Sequence, residues 1–344
     1  MSLVARLKYV FEKENLLKIK KKQLSVLTVG VSEPNDLLTL EKYYGIPRES
    51  ITFQNHFKPT VSLAKSLGFK CLTKCKKKHD LVIVEIPPDK KEALGAISYS
   101  LDNIKKNGYL ICDGLKTSGI ESVIKKLKFL DLTVISKAHG KLLYAPLPST
   151  IPEFVFNWRN TLKLSPNQDE FLTQPGMFSY RKIDSGSRLL GRLLPKNITG
   201  DVADLCSGWG YLSSVLSSNN QKIKSLHLFE ANYSALSASK ENVNDIRAFF
   251  HWEDVLSIEN FDQKFDLIVC NPPFHSKAKY DIVVPKNIIR IGCKILKLNG
   301  SFWMVANKHL PYEKHLKGCF QTVDKVVENS FYKVFKATRP SKNP

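Results

Sequence analysis

Residues 265–274 read Phe265-Asp266-Leu267-Ile268-Val269-Cys270-Asn271-Pro272-Pro273-Phe274. A short apolar run closed by prolines is a buried strand that stops abruptly, because proline has no N–H for a ladder and holds φ fixed. Ile288, Ile291, Ile295 and Leu298 follow near a period of 3.6, which predicts a helix stopped by Asn299-Gly300. Ser301 to Ala306 is the next apolar strand. The same order occurs in the first half: a strand over Asp80–Ile86, then Pro87-Pro88, a helix running to Lys106, Asn107-Gly108, and a strand over Tyr109–Cys112. The offset between the two copies is about 190 residues. Strands alternating with helices specify βαβ units and a parallel sheet, so the repeat predicts two similar α/β domains. The Pro-rich stretch 145–160 is the expected linker, separating a domain over 1–150 from one over 160–344.

Outward from these motifs, composition narrows the function classes. The 344 residues are 43% hydrophobic, enough for packed cores and against a disordered chain. No run reaches the ~18 apolar residues of a membrane helix, and Met1 to Asn15 carries too many charges for a signal-peptide core. The seven cysteines are odd in number and scattered from Cys71 to Cys319, which predicts a cytoplasmic protein without a disulfide framework. Cys71 and Cys75 are too few for a zinc site, and no metal is expected. The net charge of +20 attracts polyanions. A Lys-, Asn-, Ile- and Phe-rich composition also produces such a charge, so the balance points toward nucleic acid without deciding it. The basic runs Lys18-Ile19-Lys20-Lys21-Lys22 and Lys74-Cys75-Lys76-Lys77-Lys78 are candidate RNA-gripping surfaces.

A second motif lies upstream. Asp201-Val202-Ala203-Asp204-Leu205 reads as a strand, Cys206-Ser207-Gly208-Trp209-Gly210 as a tight turn, and Tyr211 to about Ser218 as a helix. This is a nucleotide-binding βα unit, with Gly208 and Gly210 where backbone bends or approaches a ligand. Ser225 to Glu230 is a second strand ending in a carboxylate that can accept from both hydroxyls of a ribose. The dinucleotide fingerprint is broken, since it requires glycine at Ser213. Asp204 beside the turn would repel a pyrophosphate. It suits a cationic ligand such as S-adenosylmethionine, which carries an ammonium, a sulfonium and a ribose. Asp254, at a third strand end, is positioned to accept from an adenine amine.

Asn271-Pro272-Pro273-Phe274 sits where α/β sheets bind ligands, outside the carboxyl end of a strand. The prolines stiffen the turn. The Asn271 side-chain oxygen and the Pro272 carbonyl can hold the two protons of an exocyclic amine, and Phe274 can stack on the base. Alignment of that amine with a methyl donor, worth ~7–11 kcal/mol, is the expected source of rate. The residues leave the target open: a guanine of either ribosomal RNA, adenine N6 in DNA, or a protein glutamine. A non-catalytic RNA-binding or ribosome-assembly module is the alternative of another class.

The combination resembles class I S-adenosylmethionine-dependent methyltransferases, in the branch that methylates amino groups. Pro175-Gly176-Met177-Phe178-Ser179, Ile183-Asp184-Ser185-Gly186-Ser187-Arg188-Leu189-Leu190, Val305-Ala306-Asn307-Lys308-His309-Leu310-Pro311-Tyr312 and Phe331-Tyr332-Lys333-Val334-Phe335-Lys336-Ala337 extend the likeness over roughly residues 171–338. They resemble the ribosomal RNA small subunit methyltransferase C family of guanine-N2 methyltransferases. The resemblance implies two tandem Rossmann-like domains, each a seven-stranded mixed sheet, the first degenerate. It implies methylation of guanine N2 in 16S rRNA of the small ribosomal subunit; a monomer is expected. It implies that Asp204, Cys206, Gly208, Gly210, Glu230, Asp254 and Asn271 line the S-adenosylmethionine site. Asn271, Pro272, Pro273 and Phe274 would hold the target base, with Phe178 and Asp184 at the mouth. Two departures stand out: Cys206 where the family has glycine, and Trp209 in place of a small residue, either of which could weaken binding or alter the loop path. In the first half no Gly-x-Gly follows the strand Ser25–Gly30, and Ile86 rather than Asn precedes Pro87-Pro88, so that half is expected not to catalyse.

Overall fold

The buried runs Leu81-Val82-Ile83-Val84 and Leu267-Ile268-Val269-Cys270 form the middle strands of two seven-stranded sheets. The computed structural model describes residues 2–13, 24–273, 275–276, 279–280 and 283–342. The basic run at 18–22 and Phe274 lie outside the described residues. The chain divides into two compact units, Met1–Leu164 with Gln174–Gly176, and Ser165–Thr173 with Met177–Pro344.

The first unit runs α1 (Ser2–Lys13), β1 (Val26–Val29), α2 (Leu38–Tyr44), β2 (Ile51–Gln54), α3 (Lys58–Ser66), β3 (Lys70–Leu72), β4 (His79–Glu85), α4 (Lys90–Asp102), β5 (Ile104–Leu115), α5 (Ile120–Lys126), β6 (Thr133–Lys137), β7 (Gly140–Pro146) and α6 (Glu153–Trp158). Its sheet order is β3-β2-β1-β4-β5-β7-β6. The first five strands are parallel, and β7 joins antiparallel to both β5 and β6. Successive strand residues face opposite layers. Leu27, Val29, Val82 and Val84 pack with Ala93, Ile97 and Leu101 of α4, while Val26, Leu81 and Ile83 face Leu3, Leu7 and Val10 of α1. Each fully buried aliphatic side chain is worth about 1.5–3 kcal/mol. Arg6 ties α1 to the sheet with a bidentate pair on Asp113, Nε to Oδ1 at 2.5 Å and Nη2 to Oδ2 at 2.8 Å.

The second unit repeats the plan. After a small hairpin, β8 (Ser165–Pro166) with β9 (Leu172–Thr173), come α7 (Ser185–Leu193), β10 (Gly200–Leu205), α8 (Tyr211–Asn219), β11 (Ile223–Glu230), α9 (Tyr233–Asn242), β12 (Ala248–Trp252) and β13 (Phe265–Cys270). A second hairpin, β14 (His275–Ser276) with β15 (Lys279–Tyr280), leads to α10 (Val283–Ile295), β16 (Leu296–Asn307), α11 (Glu313–Cys319), β17 (Phe320–Glu328) and β18 (Tyr332–Pro340). The order β12-β11-β10-β13-β16-β18-β17 matches that of the first sheet strand for strand. Two tandem seven-stranded mixed sheets are therefore the architecture.

The structure corrects two boundaries. Helical periodicity carries to Leu298, but α10 ends at Ile295, and Leu298 is exposed in the entry of β16. Likewise α4 stops at Asp102, not Lys106. In both copies the Asn-Gly pair lies inside the next strand, at a register slip. Phe265 pairs with Leu296 but Leu267 with Ser301; His79 pairs with Ile104 but Leu81 with Tyr109. Glycine is needed because the backbones close in there: a Cβ on Gly300 would lie 3.0 Å from the Asp266 carbonyl oxygen, and one on Gly108 2.7 Å from that of Asp80. The Pro-rich stretch is not bare linker either, since it holds α6 with Val155 buried. All seven cysteines are free thiols. Among the described residues no helix is long and apolar enough to cross a membrane, and no group of three or more His, Cys, Asp or Glu could hold a metal ion.

Candidate active site

β10 feeds directly into the glycine turn, and three of the next five residues take a left-handed φ: Cys206 at 63°, Gly208 at 57° and Gly210 at 92°. That path folds the turn under α8, with Gly210 N donating to the Ser207 carbonyl at 3.0 Å. The two glycines serve differently. A Cβ on Gly208 would meet nothing within 4 Å, whereas one on Gly210 would lie 2.9 Å from Val243 Cγ2 and 3.0 Å from Ser239 Cβ. Gly210 therefore lets α8 and α9 close together. Glu230, at the end of β11, accepts from Gly208 N at 2.8 Å through Oε2 and from Asn232 N at 2.7 Å through Oε1. Burial raises its carboxyl, while those N–H groups oppose the shift.

Asp204 is fully buried behind the turn. Ser213, the position where a dinucleotide site needs glycine, donates its hydroxyl to Asp204 Oδ2 at 2.7 Å. Oδ1 has no protein partner among the described residues, and neither has the buried Ser207 Oγ. Burial pushes the Asp204 carboxyl up to about 7, Ser213 pulls it down, and Glu230 adds to the rise. A buried acid with a spare oxygen favours a cationic neighbour. A cleft open to solvent adjoins the turn. Its described walls include Phe178, Asp184, Ser187, Cys206, Gly208 and Asn271, with no Lys or Arg, which disfavours a phosphate-bearing ligand. Asp204's unmet oxygen, the acid at Glu230 and the open space over Gly208 fit S-adenosylmethionine.

Asn271 leaves β13 into the cleft and is held from α7. Its Nδ2 donates to Ser187 Oγ at 2.7 Å and to Asp184 Oδ2 at 3.1 Å. A carboxylate only accepts, so the amide nitrogen must face Asp184 and Oδ1 must face the other way. Asp184 is itself the N-cap of α7, accepting from Ser187 N at 2.8 Å. Asp184 and Ser187 thus fix both the first turn of α7 and the orientation of Asn271. Pro272 is buried and Pro273 exposed.

The two unusual loop residues are accommodated. Cys206 keeps a glycine-like φ, and its thiol meets that of Cys270; this contact, followed by burial, holds the Cys206 thiol well above its ordinary value, which disfavours the thiolate. The Trp209 indole is buried against Phe171, with centroids 5.1 Å apart, and donates from Nε1 to the Phe178 carbonyl at 2.9 Å. Its bulk fastens the segment that presents Phe178, whose ring is 60% exposed at the cleft mouth. Asp254 does not line the cleft, and neither do Asp204, Gly210 and Glu230; Asp254 caps a short 3-10 turn, accepting from Leu256 N at 2.9 Å. Sequence reading missed Ser187, Ser213 and the Trp209 clasp. The spacing of Ser187 three residues after a capping Asp was the available signal.

Among its described residues the first unit carries no such constellation. Val29 pairs with Val84 as Leu205 pairs with Cys270, which sets Thr28 at the place of Asp204, Gly30 at that of Cys206 and Glu85 at that of Asn271. Glu85, not Ile86, is thus the counterpart of the amide, and Pro87-Pro88 is displaced by one residue. Its carboxylate is consumed by Ser32, which donates from N at 2.7 Å and from Oγ at 2.8 Å. By the same pairing Asn55 replaces Glu230, and its Nδ2 is bonded to the Val31 carbonyl at 2.9 Å.

Comparison with known proteins covers the second half in the family model and most of the chain in the relatives. The methyltransferase small domain family model matches residues 168–336. A ribosomal RNA small subunit methyltransferase C from Buchnera aphidicola subsp. Baizongia pistaciae is 31% identical, over 75% of this chain and 79% of that protein. One from Photorhabdus laumondii is 29% identical, over 76% and 77%. The fold matches a solved T. thermophilus 16S rRNA N2 G1207 methyltransferase in complex with AdoMet and guanosine, at TM-score 0.78 and 20% identity, over 94% of this chain and 90% of that one.

Proposed function

This chain belongs to the ribosomal RNA small subunit methyltransferase C family, and from that membership we propose that it methylates the exocyclic N2 amine of a guanosine in 16S rRNA, with S-adenosylmethionine as donor. The observation that carries this is the pinned amide of Asn271, whose Oδ1 faces away from Asp184 and Ser187. S-adenosylmethionine, when bound, supplies a sulfonium-activated methyl group. The chain's own contribution is orientation. Asn271 Oδ1 and the Pro272 carbonyl accept from the amine, turning its lone pair toward the glycine turn. Asp204 offers its unmet oxygen to a cation, Gly208 and Gly210 keep the turn open, and Glu230 takes the ribose. Asn271 also borders the donor, Cys206 lies along its methionine portion, and Asp254 lies on the adenine side. Phe178 stands at the mouth, Phe274 has the aromatic ring to stack on the base, and Pro273 stiffens the turn. The small ribosomal subunit is the proposed substrate, met in the cytoplasm by a monomer.

The test is to incubate the full chain with labelled S-adenosylmethionine and undermethylated small subunits, then map the label. Label in N2-methylguanosine of 16S rRNA is expected. Label in another base, in protein, or nowhere refutes the reading.

A further inference from the structure

Two of the quoted motifs, 305–312 and 331–337, are not used by the chemistry above, and they meet at one place. β16 runs parallel to β13 and ends at Asn307, so its end lies on the ligand side of the sheet. β18 returns antiparallel, with Asn307 paired to Tyr332, so the β17–β18 turn projects from that same side. Tyr332 lies against the first turn of α7, its Cε1 3.0 Å from where a Cβ on Gly186 would stand. That turn holds Asp184 and Ser187, the clamp on Asn271.

The next residue, Phe331, is 70% exposed. It is nonetheless held in a fixed backbone. Asn329 Oδ1 accepts from the N–H groups of Phe331 and Tyr332, each at 2.8 Å. The Phe331 carbonyl accepts from Lys308 N at 2.7 Å. Burying no core yet held by its backbone, the ring is a platform that no described residue covers. Lys308 stands beside it, partly exposed, its ammonium 3.7 Å from Glu328, while Lys325 also engages Glu328 and Lys333 engages Glu313. Across two strand spacings and three residues along β18, Phe331 stands roughly 14 Å from Asn271.

We propose that Phe331, with Lys308 beside it, is a stacking subsite for a single-stranded RNA nucleotide flanking the target guanosine. This rests on the reading of the chain as an rRNA methyltransferase. A base held at Asn271 must leave its stack, which strips a neighbour of its partner. An exposed aromatic face replaces that stack without regard to base identity, and an adjacent ammonium meets the phosphate.

The experiment measures methyl transfer to undermethylated small subunits by the full-length chain and by Phe331→Ala, Phe331→Trp and Phe331→Leu. Phe331→Ala is expected to raise KM for the subunit about tenfold. Its kcat, its melting temperature and its affinity for S-adenosylmethionine should stay at wild-type values. Tryptophan should restore KM and leucine should not, because only the former offers a π-face. An unchanged KM in Phe331→Ala overturns the proposal, as does equal rescue by leucine, which would mark an apolar contact with protein. A wild-type chain that transfers nothing to rRNA overturns the underlying reading and this subsite with it; an active wild type with an indifferent Phe331 overturns the subsite alone.

Discussion

Asn271 illustrates how little a reactive position means without its supports. The Asn-Pro-Pro-Phe turn named the amide, but the direction of its oxygen follows from an acceptor-only carboxylate at Asp184 and a hydroxyl at Ser187. Removing the amide should cost turnover and not donor binding. Asn271→Ala is expected to lower kcat about 100-fold while calorimetry still shows S-adenosylmethionine binding, because the amide borders the donor but its main work is on the amine. Ser187→Ala, which leaves only the longer bond to Asp184, should lower kcat about tenfold. Equal loss of binding and turnover in both variants would make the residues structural rather than orienting.

At the scale of elements, the turn between β10 and α8 separates conformational from packing demands. Gly208→Ala must adopt a left-handed φ but meets no atom, so about 1 kcal/mol of destabilisation is expected. Gly210→Ala adds a clash with α9 and should cost about 2–3 kcal/mol more; urea unfolding of the two variants gives the ranking, and a reversed order would contradict it. The β11–β12 pair carries a second device. His227 Nδ1 and His251 Nε2 lie 2.9 Å apart, stacked on each other and on Phe229 and Phe249, with Phe261 edge-on to both. Burial, reinforced by His251, lowers His227 from the ordinary 6.5 to about 4, and burial also lowers His251. Between those values the unfolded chain binds more protons than the folded one, so this pair's stabilisation is full above pH 6.5 and is lost as pH falls toward 4. Melting temperatures across that window should fall with acid, and His227→Gln should flatten the slope.

Across the whole molecule, the duplicated topology does not duplicate the site. Thr28, Asn55 and Glu85 occupy the places of Asp204, Glu230 and Asn271, and the last two are tied up by neighbouring loop atoms. Titration of the intact chain with S-adenosylmethionine should therefore give one site per chain, removed by Asp204→Ala; two sites would show that the first unit still binds. Lys and Arg outnumber Asp and Glu by 52 to 32 over the whole chain, so affinity for rRNA should fall steeply with added salt.

The amino-acid order by itself determined the two α/β units, the strand–turn–helix unit at 201–219 and the Asn-Pro-Pro turn. Those depend on local apolar runs, glycine and proline, whose conformational effects act over a few residues. It misjudged where α4 and α10 end, because the Asn-Gly pairs are required by a neighbouring strand's backbone rather than by the helix they follow. Only tertiary structure decided that Ser213 satisfies one oxygen of Asp204, that Asp184 and Ser187 aim Asn271 from 87 and 84 residues away, and that Asp254 caps a short 3-10 turn. Such hydrogen bonds join residues distant in sequence, and their partners are fixed by sheet order and helix packing, which no local pattern encodes.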